Sequence, residues 1–215
     1  NRFNDSRSKY NNSARCNGAL KIMSLFLDYG DGRDGSAASI SGVVNSYATC
    51  TGTASSRTVT TALSVAVGDM VFLWQTQGTG ATNCEMVKVS VVGAGSFTTT
   101  IALNNSYVSG AQAIKVPQYT AGTFGALSAT AWDGSVGGLC ILVGNGAITI
   151  AASSSLNGKG FRGGIGGSGT DVPGTQGEGT AGVGASGVNA ANANGGGAGT
   201  VTADNFEGGG GGGAG

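Results

Sequence analysis

The chain has 215 residues, with 11 Lys plus Arg, 11 Asp plus Glu, no His and a formal net charge of zero. With only 10% of residues charged, it has neither the basic face of a nucleic-acid binder nor a polybasic membrane-surface segment. The absence of His excludes His-based triads and His metal sites, and the apolar runs are far shorter than the roughly 20 residues of a spanning helix.

The length suits one or two domains. The chain starts at Asn1 without a signal-peptide pattern. It reads as a processed product, which leaves secretion open, and is expected to continue past Gly215. Residues 1–27 read as a polar N-terminal arm, either a plain terminal arm ordered only if something holds it or, on a sharper reading, an arm that packs on a neighbouring subunit with Ile22 to Leu27 as an added strand. N-x-S sequons stand at Asn4, Asn11 and Asn104, a frequency that chance supplies in an Asn/Ser-rich chain.

Next comes Asp28-Tyr29-Gly30-Asp31-Gly32-Arg33-Asp34-Gly35. Gly and Asp in alternation read as tight turns, because both tolerate positive φ. Asp28, Asp31 and Asp34 are three apart and offer oxygens to calcium, though without the spacing of an EF-hand loop. The turn cluster is the default, and no cofactor is otherwise expected.

Residues 28–157 read as a β domain. Val87, Val89 and Val91 alternate with polar residues, as do Phe97, Thr99, Ile101 and Leu103. Val71-Phe72-Leu73-Trp74 reads as a strand covered on both faces, and Pro117 should end the strand of Ile114 and Val116. Leu139, Ile141 and Val143 suggest another strand, followed by a Gly144-Asn145-Gly146 turn into Ala147 to Ile150. Strands at this spacing predict an all-β fold, a β-sandwich or a short β-solenoid. The last segments shorten progressively, as if the chain wound in small coils.

Four Cys in a strand-rich chain of low charge fit disulfides outside the cytosol. Cys50 with Cys84 is the expected pair. Cys140, within Leu139-Cys140-Ile141-Leu142, reads as a small buried hydrophobe, and Cys16 in the arm suits an inter-subunit bond.

More than half of the 43 glycines fall in residues 158–215. Gly160, Gly163, Gly166 and Gly169 are spaced by three, as are Gly174 and Gly177, Gly179 and Gly182, and Gly184 and Gly187. A period of three suits an extended left-handed helix with three residues per turn. The phase slips between runs and Pro is scarce, which argues against collagen. A flexible linker is the plain alternative. The phased runs favour a module of packed polyglycine-II-type helices seeded by the last β coils. Gly158-Lys159-Gly160-Phe161-Arg162-Gly163 formally fits G-x-G-x-x-G, but more glycine follows where a dinucleotide site needs a helix. Phe161 and Arg162 are therefore assigned to the domain junction.

The run of Gly30-Asp31-Gly32-Arg33-Asp34-Gly35, Gly68-Asp69-Met70-Val71, Gln75-Thr76-Gln77-Gly78, Gly110-Ala111-Gln112-Ala113, Val116-Pro117-Gln118-Tyr119, Trp132-Asp133-Gly134-Ser135 and Gly158 to Gly164 resembles a β domain with a glycine-rich extension. Such domains occur in bacterial surface proteins and in phage tail-fibre or receptor-binding proteins. The resemblance covers roughly Gly30 to Gly167. It implies a fibrous or adhesive protein outside the cell, and it carries over no binding residue.

The expected function is a structural subunit of an extracellular fibre or virion appendage that self-assembles and attaches to surfaces. The alternative is a receptor-binding adhesin, with aromatics such as Tyr107, Tyr119 and Trp132 contacting a cell-surface glycan or protein. Enzyme activity is not expected. Paired carboxylates remain a route in principle, but the few acids sit mostly in turns beside Gly.

Overall fold

The structure, a computed structural model, describes residues 30–38, 40–76 and 80–161, with the backbone of 178–179 and 182–183. The expected arm, Cys16, Asp28, Arg162 and almost all of the expected polyglycine-II module lie outside the described residues. Every element among the described residues is a strand.

Six strands close into an antiparallel barrel: β2 (Ser46–Gly52), β3 (Thr58–Thr61), β4 (Met70–Gln75), β5 (Cys84–Gly93), β6 (Ser96–Thr99) and β7 (Ala111–Val116). They are ordered β2-β3-β6-β5-β4-β7. β2 closes the barrel by dividing its pairing. Ser46 to Thr49 face β7, and Cys50 to Gly52 face β3. Alternate residues point inward, so Val71, Leu73, Val87, Val89, Val59, Phe97, Ala111 and Ala113 share one core with Leu63, Leu103 and Tyr107. The expected sandwich is thus a barrel: the sheet closes on itself, which removes its edges.

The valine alternation fails at one point. The register of β5 shifts between Val89 and Val91, and such a bulge turns the next side chain to the other face. Val89 is buried, and Val91 is 58% exposed.

The barrel is an insertion in a second structure. Residues 34–38 with 40–43, residues 117–128 and residues 143–155 lie side by side as three parallel rungs. The first pair is joined by Asp34 N to Gln118 O at 3.0 Å, Ala37 N to Ala121 O at 2.8 Å and Gly125 N to Ile40 O at 2.8 Å. It ends in β1 (Gly42–Val43) beside β10 (Leu127–Ser128). The second and third rungs pair through β8 (Gln118–Tyr119) with β11 (Val143–Gly144), and through β9 (Gly122–Phe124) with β12 (Ile148–Ile150). Gln118 opposes Val143 and Gly122 opposes Ile148, so this turn of the coil advances 25 to 26 residues. Between the first and second rungs the chain makes the whole barrel. Ala37, Tyr119, Phe124 and Leu127 fill the stack, with Ile40, Val44, Cys140, Leu142 and Ile148 against them.

The strand expected at Leu139 to Val143 is realised only at Val143, because residues 139–142 run as irregular chain along the barrel wall. The remaining strands, β13 (Glu178–Gly179) and β14 (Gly182–Val183), form a short antiparallel hairpin.

Buried amide side chains join the barrel to the coils. Asn45 donates to Lys115 O at 2.9 Å and Ile141 O at 2.6 Å, and accepts from Ile141 N at 2.9 Å. Gln112 exchanges two bonds with Gly137, its Nε2 donating at 3.2 Å and its Oε1 accepting at 2.9 Å. Gln118 donates through Nε2 to Gly68 O at 3.1 Å and accepts from Asp31 N at 3.2 Å. Each replaces a ladder bond that the seam between the two sheets cannot form. Truncating one leaves buried backbone groups unpaired, at about 1–3 kcal/mol per group. Asn45→Ala should therefore lower the unfolding free energy by at least about 2 kcal/mol, since it orphans three groups at once. An unchanged midpoint in denaturant titration would remove Asn45 from the seam.

Candidate functional site

Three features lie where this seam meets solvent. The first is an ionic clasp built on the Gly/Asp loop. Arg33 reaches across to the barrel. Its Nη1 donates to Val67 O at 2.5 Å and Asp69 Oδ1 at 3.1 Å, and its Nε donates to Asp31 Oδ1 at 3.2 Å. Lys115 Nζ lies 2.8 Å from Asp69 Oδ2, and Lys88 Nζ lies 3.8 Å from Asp31 Oδ2. Ala66 N also donates to Asp69 Oδ2 at 2.8 Å. The Asp69 side chain is 4% exposed, against 30% and 31% for Arg33 and Lys115. Arg33 lies directly over Gly68, where a Cβ would come within 2.1 Å of the guanidinium and φ is +89°. Glycine is needed there on both counts.

Burial pushes the carboxyl of Asp69 up, but bonds from Lys115, the Ala66 amide and Arg33 outweigh it and hold it below its ordinary value. At Asp31 burial again works upward and is outweighed, chiefly by the Arg33 amide and guanidinium and by Lys88. Of the three Asp considered for calcium, Asp31 thus faces two cations, and Asp34 accepts from Gln118 N at 2.7 Å. These two carboxylates serve different partners. A comparable cage surrounds Glu85, which is 5% exposed. It accepts from Asn104 N, Asn105 N and Tyr107 Oη at 3.0 to 3.1 Å.

The second feature is aromatic. Phe161 lies edge-on to Trp74 at 5.3 Å and to Trp132 at 4.9 Å. Trp132 N donates to Lys159 O at 2.9 Å. Val71 and Leu73 face the barrel interior, and Phe72 and Trp74 share the outer face under these rings, so this strand is covered on both sides. Tyr107, Tyr119 and Trp132, considered as ligand-contacting aromatics, are 1%, 5% and 7% exposed. Tyr107 belongs to the barrel core, Tyr119 meets Phe124 edge to face with ring centres 5.0 Å apart, and Trp132 backs the junction.

The third feature is a cleft of about 670 Å³ along the line where β2 changes partners. Thr49, Thr51, Thr60, Ser109 and Ser135, which carry hydroxyls, line it together with Cys50. Cys50 and Cys140 are free thiols, so the expected bond between Cys50 and Cys84 is not formed. Cys50 points into the barrel core, whereas strand alternation puts Cys84 on the outer face with Trp74, its partner across β4 and β5. Burial pushes the Cys50 thiol up to about 12, which leaves it protonated and unreactive at neutral pH. Cys140, expected as a small buried hydrophobe, is half-buried against the coil cluster, and burial raises its thiol too.

Sequence reasoning missed Asp69, Lys115, Asn45 and Gln112. A lone Asp after Gly reads as a turn, and its cationic partners come from distant segments. No protein-family model matches the chain, and no curated protein matches it. Among solved structures it is similar to the tailspike protein gp49 from Pseudomonas phage LKA1, at 17% identity and a TM-score of 0.28. That match covers 42% of this chain and 20% of the tailspike chain.

Because the folded carboxyls of Asp69 and Asp31 are depressed, their contribution is present above the unfolded value near 3.8. It is lost as pH falls through the lower folded value. Asp69→Asn should flatten this acid limb. At neutral pH it should cost about 1.5–3 kcal/mol, the range for bonds to a charged group, because Arg33 and Lys115 stay hydrated enough to tolerate the loss. Denaturant midpoints measured from pH 7 to pH 2 check this. An acid slope identical to that of the parent chain would contradict it.

Proposed function

We propose that the chain is a structural subunit of an extracellular fibre or virion appendage, and that it acts by self-assembly and surface attachment rather than by catalysis. The observation that carries this reading is the stack of parallel rungs. Rungs repeat along one axis, each buries its neighbour, and the construction extends without a new core. The barrel is braced to that axis by buried amides and the Asp69 ion pairs, a device for rigidity. The zero net charge leaves no long-range repulsion between copies.

A receptor-binding adhesin is the second reading, and the cleft favours it. Hydroxyls of Thr49, Thr51, Thr60, Ser109 and Ser135 both donate and accept, which suits the hydroxyls of a cell-surface glycan. The buried aromatics give this reading no support.

Electron microscopy of the purified chain separates the two. The structural reading expects filaments or regular assemblies with this chain as the repeating unit. Dispersed single particles that bind a glycan, with binding weakened by Thr51→Val, would replace it with the adhesin.

A further inference from the structure

The hydroxyls of the cleft continue beyond it as two rows across the outer face of β2, β3 and β6. Cross-strand register sets Thr51 opposite Thr60, and Thr60 opposite Ser96. Two residues back along β3, Thr58 opposes Thr98, and Thr98 opposes Val91 on β5. The alternate residues Cys50, Val59, Thr61, Phe97 and Thr99 are buried, so strand alternation turns both rows outward. Neighbours within a row stand about 5 Å apart, and the rows lie about 7 Å apart.

Inward and outward hydroxyls are used differently. Thr61 Oγ1 donates to Thr49 O at 2.8 Å and accepts from Leu63 N at 3.1 Å, and Thr99 Oγ1 lies 3.1 Å from Arg57 O. Among the described residues, the hydroxyls of Thr51, Thr58, Thr60, Ser96 and Thr98 have no such partner. Each keeps a donor and an acceptor for a ligand. No charged side chain lines the cleft, and none stands in either row, Arg57 being the nearest in sequence at one residue before β3. An anion bound here would give up its hydration without a cation to replace it. An uncharged polyol exchanges bonds to water for bonds to hydroxyls at little cost. Val91, turned outward by the bulge and 58% exposed, ends the second row with an apolar surface for the C–H face of a sugar.

We propose that the cleft and the two rows form one track for an extended, uncharged oligosaccharide. At about 670 Å³ the cleft alone has the size of a small-ligand site, so the sugars beyond it lie on the rows. This inference rests on the adhesin reading of the cleft, to which it adds the charge and the length of the ligand.

Glycan arrays probed with the full chain test it. The arrays carry uncharged oligomers of hexose and N-acetylhexosamine beside uronate- and sialate-bearing glycans. Titration calorimetry then compares the best ligand with its disaccharide. The uncharged glycans should bind, and the longer oligomer should bind more tightly than the disaccharide. Thr51→Val should weaken both about two- to tenfold, the value of one hydrogen bond. Thr58→Val and Thr98→Val, which keep a β-branched residue suited to a strand, should weaken only the longer oligomer, by a similar factor. Binding that ignores length and both row substitutions would overturn the track and leave the cleft as an adhesin site. Preference for the anionic glycans would overturn the proposal as well. Binding to no glycan would remove the adhesin reading itself, and the track with it.

Discussion

The structure depends on how a closed barrel is spliced into a parallel ladder. The chain leaves the first rung after Val43, builds six strands, and returns at Gln118 to the position beside it. At both crossings the ladder is interrupted, and buried backbone groups would lose their partners there. Such groups must be paired or hydrated. Asn45 stands at the exit and Gln118 at the return, with Gln112 one layer away on β7. A side-chain amide carries the same donor and acceptor as a peptide group, so it fills the gap in kind. The Asp69 ion pairs close the same seam from the outside, where the cations keep contact with water.

Much of the all-β character was legible, and its limits have physical reasons. Pro117 does end β7, and Val71 to Trp74 is covered on both faces. The barrel was not distinguishable from a sandwich, because both give short strands with apolar alternation. Closure depends on β2 changing partners at Cys50, which no local pattern records. The bulge after Val89 broke an alternation that looked continuous. The splice was hidden for a different reason: its rungs carry few apolar residues, and the first is separated from the second by the whole barrel. Asp31 and Asp34 were visible as a cluster, but their partners, Lys88 and Gln118, are contributed by the barrel and the second rung.

The seam also decides which groups are left to face solvent. Among the described residues, the buried amides of Asn45, Gln112 and Gln118 and the carboxylates of Asp69 and Glu85 are committed to internal partners, the Thr76 hydroxyl is buried without one, and the large aromatics are covered. What the described surface offers is a hydroxyl-lined cleft.

The central claim is that barrel and rungs form one cooperative unit because the amide seam couples them. Differential scanning calorimetry of the intact chain tests this most directly. Coupling predicts a single endotherm whose calorimetric enthalpy equals its van't Hoff enthalpy. Two resolved transitions, with the rungs melting while the barrel remains folded, would contradict the account.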